Sequence, residues 1–167
     1  MRINRLFVGP RKLTSAYGMS ATVAFVVGGL LIVWSSYIHY HLWQKVGYRH
    51  IPTIGPLFFV QSIVGLVVGV LVIAARRVWA AVIGAGFAVS TLGGFLISVE
   101  HGLFGFKEQW SAPFAQLAFA IEIATIVVLV ISLTLCLVGD KTNPEVNGTV
   151  AHDQSRSGVK SIAASSR

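Results

Sequence analysis

Five polar side chains lie where chemistry would be possible in an otherwise apolar chain: His39, Gln61, Ser98, His101 and Glu122. Glu122 is the most informative. It sits eight residues past Phe114 in an apolar run, about 12 Å along a helix that rises 1.5 Å per residue. A carboxyl group is expensive in hydrocarbon, so one retained at that depth marks a functional site by default. Its chemistry would be to hold a cation or a proton. The imidazoles of His39 and His101 would ligate haem or a metal, or line a quinone site, while Gln61 and Ser98 supply hydrogen bonds. The triplet His39-Tyr40-His41 looks like a metal motif. Residues two apart on a helix are turned about 200° from each other, however, so these two imidazoles cannot meet on one ion, and no metal site is expected there.

The other reactive groups are quiet. Cys136 is the only cysteine, so no intrachain disulfide can form, and a small packing role suits it. Carboxylate pairs, nucleophile triads, phosphate-binding loops and CxxC pairs are absent from the sequence, which argues against an enzyme.

The elements that must position the five residues follow from composition. Of the 167 residues, 54% are hydrophobic and 11% charged, with mean hydropathy +0.74. Soluble domains carry roughly 25% charged residues. The charges fall outside four apolar stretches, residues 19–42, 56–75, 78–99 and 113–138, each about as long as a bilayer core requires. Segments in lipid must satisfy their own backbone, so each should be a helix. The expected fold is all-α: a four-helix transmembrane antiparallel bundle between a basic arm (1–18) and a disordered, Ser- and Gly-rich tail (139–167).

Charge sets the orientation. Four spans leave both termini on one side, with Arg2, Arg5, Arg11, Lys12, Arg76, Arg77, Lys141, Arg156, Lys160 and Arg167. The opposite side holds Lys45, Arg49 and Lys107. Ten cations against three is the positive-inside bias, so both termini should be cytoplasmic. Orientation therefore accounts for the net charge of +7, and nucleic acid is not expected as a partner. The first apolar run is too long for a cleaved signal peptide, and its far end lacks a small-residue cleavage pattern.

Small and polar residues at helical spacing mark the packing faces, because apolar side chains gain nothing by leaving lipid. In the first helix these are Ala21, Gly28, Ser35 and His39, with Phe25 and Ile32 between them. The second carries Gln61, Gly65 and Gly69 on one line. The third carries Ala81, Gly84, Ala88, Thr91, Phe95, Ser98 and His101; Gly86, Gly93 and Gly94 make its other faces small too, which predicts a central helix. The fourth carries Ala115, Ala118, Glu122, Thr125, Leu129, Ser132 and Cys136, with Ile121 on the opposite side. Thr53 and Ser111 are candidate caps, with Pro56 and Pro113 in the first turns that follow. Gly47 and Gly55 suit tight bends, and Arg49 and His50 stand outside, open to a partner or to lipid headgroups. In the second outer loop, Leu103, Phe104, Phe106 and Trp110 should dip into the membrane interface.

The run GYRHIPTIGPLFFVQ, followed by TLGGFL and by GLFGFKEQWSAP before an apolar helix, resembles a family of uncharacterised small four-span membrane proteins of actinobacteria. The likeness covers all four apolar stretches and neither tail. It implies the four-span topology and a bacterial plasma-membrane location, and it brings no activity.

With the faces assigned, His39, Gln61, Ser98, His101 and Glu122 all point inward in the outer half of the bundle, as an outward-opening polar pocket. The sequence favours a structural or accessory subunit of a membrane complex, with a membrane-protein partner or a second copy and the lipid bilayer around it; its polar residues would bond across helices. A binding or transport pocket for a small ligand, ion or proton centred on Glu122 is the alternative. A redox module, with haem or quinone at His39 and His101, is a third.

Overall fold

The computed structural model describes residues 16–141, with side chains placed over 18–138. The expectations for the basic arm and for the tail lie almost wholly outside those residues. Four long helices account for most of the described chain: α1 (Ala16–His41), α2 (Ile54–Ala75), α3 (Val78–Glu100) and α4 (Ala115–Lys141). All four are long and apolar enough to cross a membrane. Their outward faces carry exposed Leu30, Trp34, Val60, Val67, Val127 and Val130. So much exposed apolar surface on every flank is what lipid solvates and water does not.

The helix pairings run in order. Gly29 lies against Gly69 and Ile73, Gly65 against Ser36, and His39 against Phe58, linking α1 to α2. Gly28 meets Leu129 and Ser35 meets Glu122, linking α1 to α4. The predicted stripe of α1 is buried throughout, from Ala21 to His39. Gly65 and Gly69 bring α2 onto α1: a Cβ built on Gly69 would stand 2.8 Å from the carbonyl oxygen of Gly29. The small face therefore packs within the bundle, where it allows two backbones to approach.

The expectation of a central third helix does not hold. It is α1 that packs extensively against both α2 and α4, while α3 touches α4, α2 and only slightly α1. Gly86, Gly93 and Gly94 have open space where a Cβ would stand. Glycine was read as close packing, but at these positions it leaves room. Ile121 is also buried, in a cluster with Ile38, Leu42, Tyr48 and Ile54, because α1 and the first loop cover that flank of α4.

The connections differ from expectation in detail. After His41 the chain widens into a π-helical turn, Leu42–Val46, closed by Gly47 at φ 101°, a left-handed conformation that glycine adopts without a Cβ clash. Thr53 makes no side-chain cap, because its backbone is itself turned to φ 65°. The first amides of α2 are satisfied by loop carbonyls instead: Ile54 N donates to Pro52 O (2.7 Å) and Gly55 N to Ile51 O (2.9 Å). Gly55 belongs to the helix, and its missing Cβ lets the carbonyls of Tyr48 and Arg49 approach. Arg76 and Arg77 alone join α2 to α3, with Arg76 in the left-handed region. Helix α4 begins at Ala115, so Ser111 and Pro113 lie in the turn before it and do not cap it.

Candidate functional site

Four of the five inward residues expected from sequence come together. His39 from α1, Gln61 from α2, Ser98 from α3 and Glu122 from α4 line one cavity of about 420 Å³. That is within the usual size of a small-molecule site. Most of the wall is apolar, and the polar groups project into it from different helices. Leu57, Val60, Val64 and Ser90 line it while being exposed on the flank of the bundle. Its mouth thus lies between α2 and α3, a pair that packs less extensively than α1 with α2 or α4.

Glu122 is 3% exposed. Its Oε1 accepts a hydrogen bond from the Ser35 hydroxyl at 2.5 Å, which ties α4 to α1. Ser35 is also the partner of His39: the imidazole Nδ1 lies 2.9 Å from Ser35 O, the distance of an N–H donating to a carbonyl. That bond fixes the ring, leaves Nε2 as the other functional nitrogen, and sets the imidazole against Phe58 with centroids 5.2 Å apart. Gln61 Nε2 donates across the α2–α3 gap to Thr91 Oγ1, whose hydroxyl in turn donates to Phe87 O at 3.0 Å.

Ser98 anchors the loop that roofs the cavity. Its Oγ and its carbonyl both accept from the amide of Glu108, each at 3.3 Å. The loop turns at Phe104 and Gly105, both at positive φ, with Leu103 and Phe106 exchanging backbone bonds of 2.7 and 2.9 Å. This two-residue hairpin geometry directs Leu103 and Phe106 into the cavity wall, not into the membrane interface as expected. Phe104 is exposed, and Trp110 packs edge-on against Phe95 and Phe119.

Glu108 was not expected here. Glu108 lines the cavity; its Oε2 accepts from the Tyr48 hydroxyl at 2.9 Å and its Oε1 from the Gln109 amide at 3.0 Å, which joins the α1–α2 and α3–α4 loops. The Tyr48 ring stacks on Phe58 (4.8 Å) and meets Phe106 edge-on. Burial, then the hydrogen bond and the charge of Glu108, hold the Tyr48 phenol well above the ordinary tyrosine range. Phe106 and Glu108 also line a groove on the far side of the loops, with Gly47 and Lys107, so these two side chains partition cavity from surface.

His101 departs from expectation. It is the residue after α3, its side chain is 78% exposed, and its neighbour is the equally open Glu100 at 4.0 Å. Its amide still donates to Ile97 O at 2.9 Å as the closing residue of α3, yet its side chain stands clear of the bundle. His39 and His101 therefore do not line one cavity. His41 turns away from His39, as helical spacing requires, to pack on the rings of Tyr37 and Phe114. Arg49 and His50 are exposed, with Arg49 Nε donating to His50 Nε2 at 3.0 Å.

Ser35 was placed on the inward stripe of α1 from sequence, though not among the five site candidates. It lies four before His39 on the same stripe and so shares its face. Glu108 and Tyr48 carried no such signal, since only the folding of two irregular loops brings them together. Comparison with known proteins adds no analogy to this geometry: no family model, no curated protein and no solved structure matches the chain.

Proposed function

We propose that this chain is a multi-pass protein of the bacterial plasma membrane whose four helices form an antiparallel bundle. In this reading both termini are cytoplasmic, and the bundle binds a small amphiphilic molecule at its outer end. The observation that carries it is the convergence of His39, Gln61, Ser98 and Glu122 on one largely apolar cavity of about 420 Å³ that opens on the flank between α2 and α3. A structural pocket filler would have no need of polar groups from four helices. A ligand with an apolar body and a polar head would use both, and the mouth between α2 and α3 suits entry from the bilayer. The ten-to-three distribution of cations supports the orientation. Single cysteines at Gly47 and Gln109 should react with an impermeant maleimide in intact cells while one at Ser157 does not. Labelling at Ser157 alone would reverse the topology.

A purely accessory role is supported by a different observation. Among the described residues, no buried side-chain nitrogen or oxygen lacks a hydrogen-bond partner, so the polar network is complete without a ligand. Gly94 separates the two readings. It lines the cavity and a Cβ there would meet no atom within 4 Å, so Gly94→Leu should place its side chain in the cavity space. Replacing a mid-helix glycine also favours the helix by about 1 kcal/mol. Native mass spectrometry of the purified protein should find a non-covalent small-molecule adduct on the wild type and none on Gly94→Leu. Absence of an adduct from both, with stable partner subunits co-purifying with both, would favour the accessory role.

A further inference from the structure

The ligand class follows from what the cavity wall is made of. Five phenylalanines line it: Phe58, Phe87, Phe95, Phe106 and Phe119. They come from α2, α3, the second outer loop and α4, so aromatic rings bound the space on several sides. Two carboxyl side chains, Glu108 and Glu122, line the same space, and among the described residues no lysine or arginine does. Lys107, the nearest cation in sequence to Glu108, lines the outer groove instead. Among the described residues the one basic group in the wall is the His39 imidazole, whose Nδ1 is already committed to Ser35 O.

An apolar neutral molecule would gain from the rings and nothing from two acids. An anion would meet two acids and no lysine or arginine in the wall, and the electron-rich faces of the rings would offer it nothing. A delocalised or alkylated organic cation satisfies every part of the wall. Its apolar substituents displace little water on entering from lipid, its charge meets the aromatic faces, and the carboxylates supply the counter-charge. The Gln61–Thr91 pair, also in the wall, adds polarity without adding charge.

We infer that the cavity binds a lipophilic organic cation, of the quaternary ammonium or phosphonium type, held between its phenylalanine walls and the carboxylates of Glu108 and Glu122. This rests on the reading that the cavity is a binding site, and it assigns the ligand's charge.

Three shape-related probes test it: tetraphenylphosphonium as the cation, triphenylphosphine oxide as the neutral analogue and tetraphenylborate as the anion. The full-length protein is placed in nanodiscs of zwitterionic lipid, and binding is measured by equilibrium dialysis. Gly94→Leu nanodiscs are the blank, so partition into lipid is subtracted. The wild type should bind tetraphenylphosphonium saturably at one per chain, at least about tenfold more tightly than the neutral analogue, and tetraphenylborate not at all. Glu122→Gln and Glu108→Gln should each weaken the cation about tenfold, the loss of one desolvated counter-charge, and leave the neutral probe unchanged. Phe95→Leu, which keeps bulk and removes a ring, should weaken the cation about fivefold and spare the neutral probe. Glu100→Gln, outside the cavity, should match the wild type. If Glu122→Gln does not fold, Glu108→Gln and Phe95→Leu decide the matter. Equal affinity for the cation and the neutral analogue, or carboxamide variants with undiminished cation binding, overturns the charge assignment and leaves the binding site standing. If no probe binds in a way that Gly94→Leu abolishes, the binding site itself fails.

Discussion

Gly69→Val is expected to damage the contact between α1 and α2 severely. A Cβ on Gly69 would stand 2.8 Å from Gly29 O and 3.2 Å from Val33 N, and closer still to a Val33 methyl. Two of those three neighbours are backbone atoms, which cannot swing aside as a side-chain end would. Helix α1 must therefore move, and α1 is the element on which both α2 and α4 pack. Overpacking typically costs about 1–3 kcal/mol, and a contact that displaces backbone belongs at the upper end. In detergent the melting temperature should fall by several degrees, and the protein should aggregate earlier on size-exclusion chromatography. Gly29→Ala strains the same contact from the other side, so the two changes together should cost less than their sum. Unchanged melting of Gly69→Val would mean that α1 and α2 do not approach this closely. Gly93→Val is the matched control, since its Cβ would meet open space.

His39→Ala and His41→Ala should differ widely, although the two residues are separated by one position. His39 is 8% exposed, bonded to Ser35 O and set against Phe58. Its removal leaves a void beside Phe58, and frees Ser35, whose hydroxyl holds Glu122. A buried large-to-small change of this kind costs about 2 kcal/mol or more. His41 is half-buried and packs only on the rings of Tyr37 and Phe114, so His41→Ala should cost less than about 1 kcal/mol. Thermal melts of both variants read the difference directly. Equal losses would mean that the end of α1 is not a regular helix and that His39 and His41 face one site. A Ser35→Ala variant should fall between the two, because it breaks the bond to Glu122 and keeps the imidazole in place.

How far the sequence determined this protein varies by level. Four apolar runs of bilayer length determine four helices, since no other backbone satisfies itself in lipid. Helical spacing alone picked out the buried stripes of α1 and α4, though not the second buried flank at Ile121, and it separated His39 from His41. It also chose four of the residues that line the cavity, because the small and polar face of a membrane helix is its packing face. The same logic failed at α3. A glycine read from sequence marks an absent side chain, and it does not say whether a neighbour or a void occupies the space. Tertiary packing decided that: α1 took the centre, and Gly94 came to line a cavity. Helix ends were equally undecided by pattern. His101 closes α3 and keeps its bond to Ile97 O, but its side chain lies beyond the part of the face that other helices cover. Glu108 and Tyr48 were out of reach for a simpler reason. They lie in irregular loops that have no period to read, sixty residues apart, and only the folded chain brings the phenol to the carboxylate.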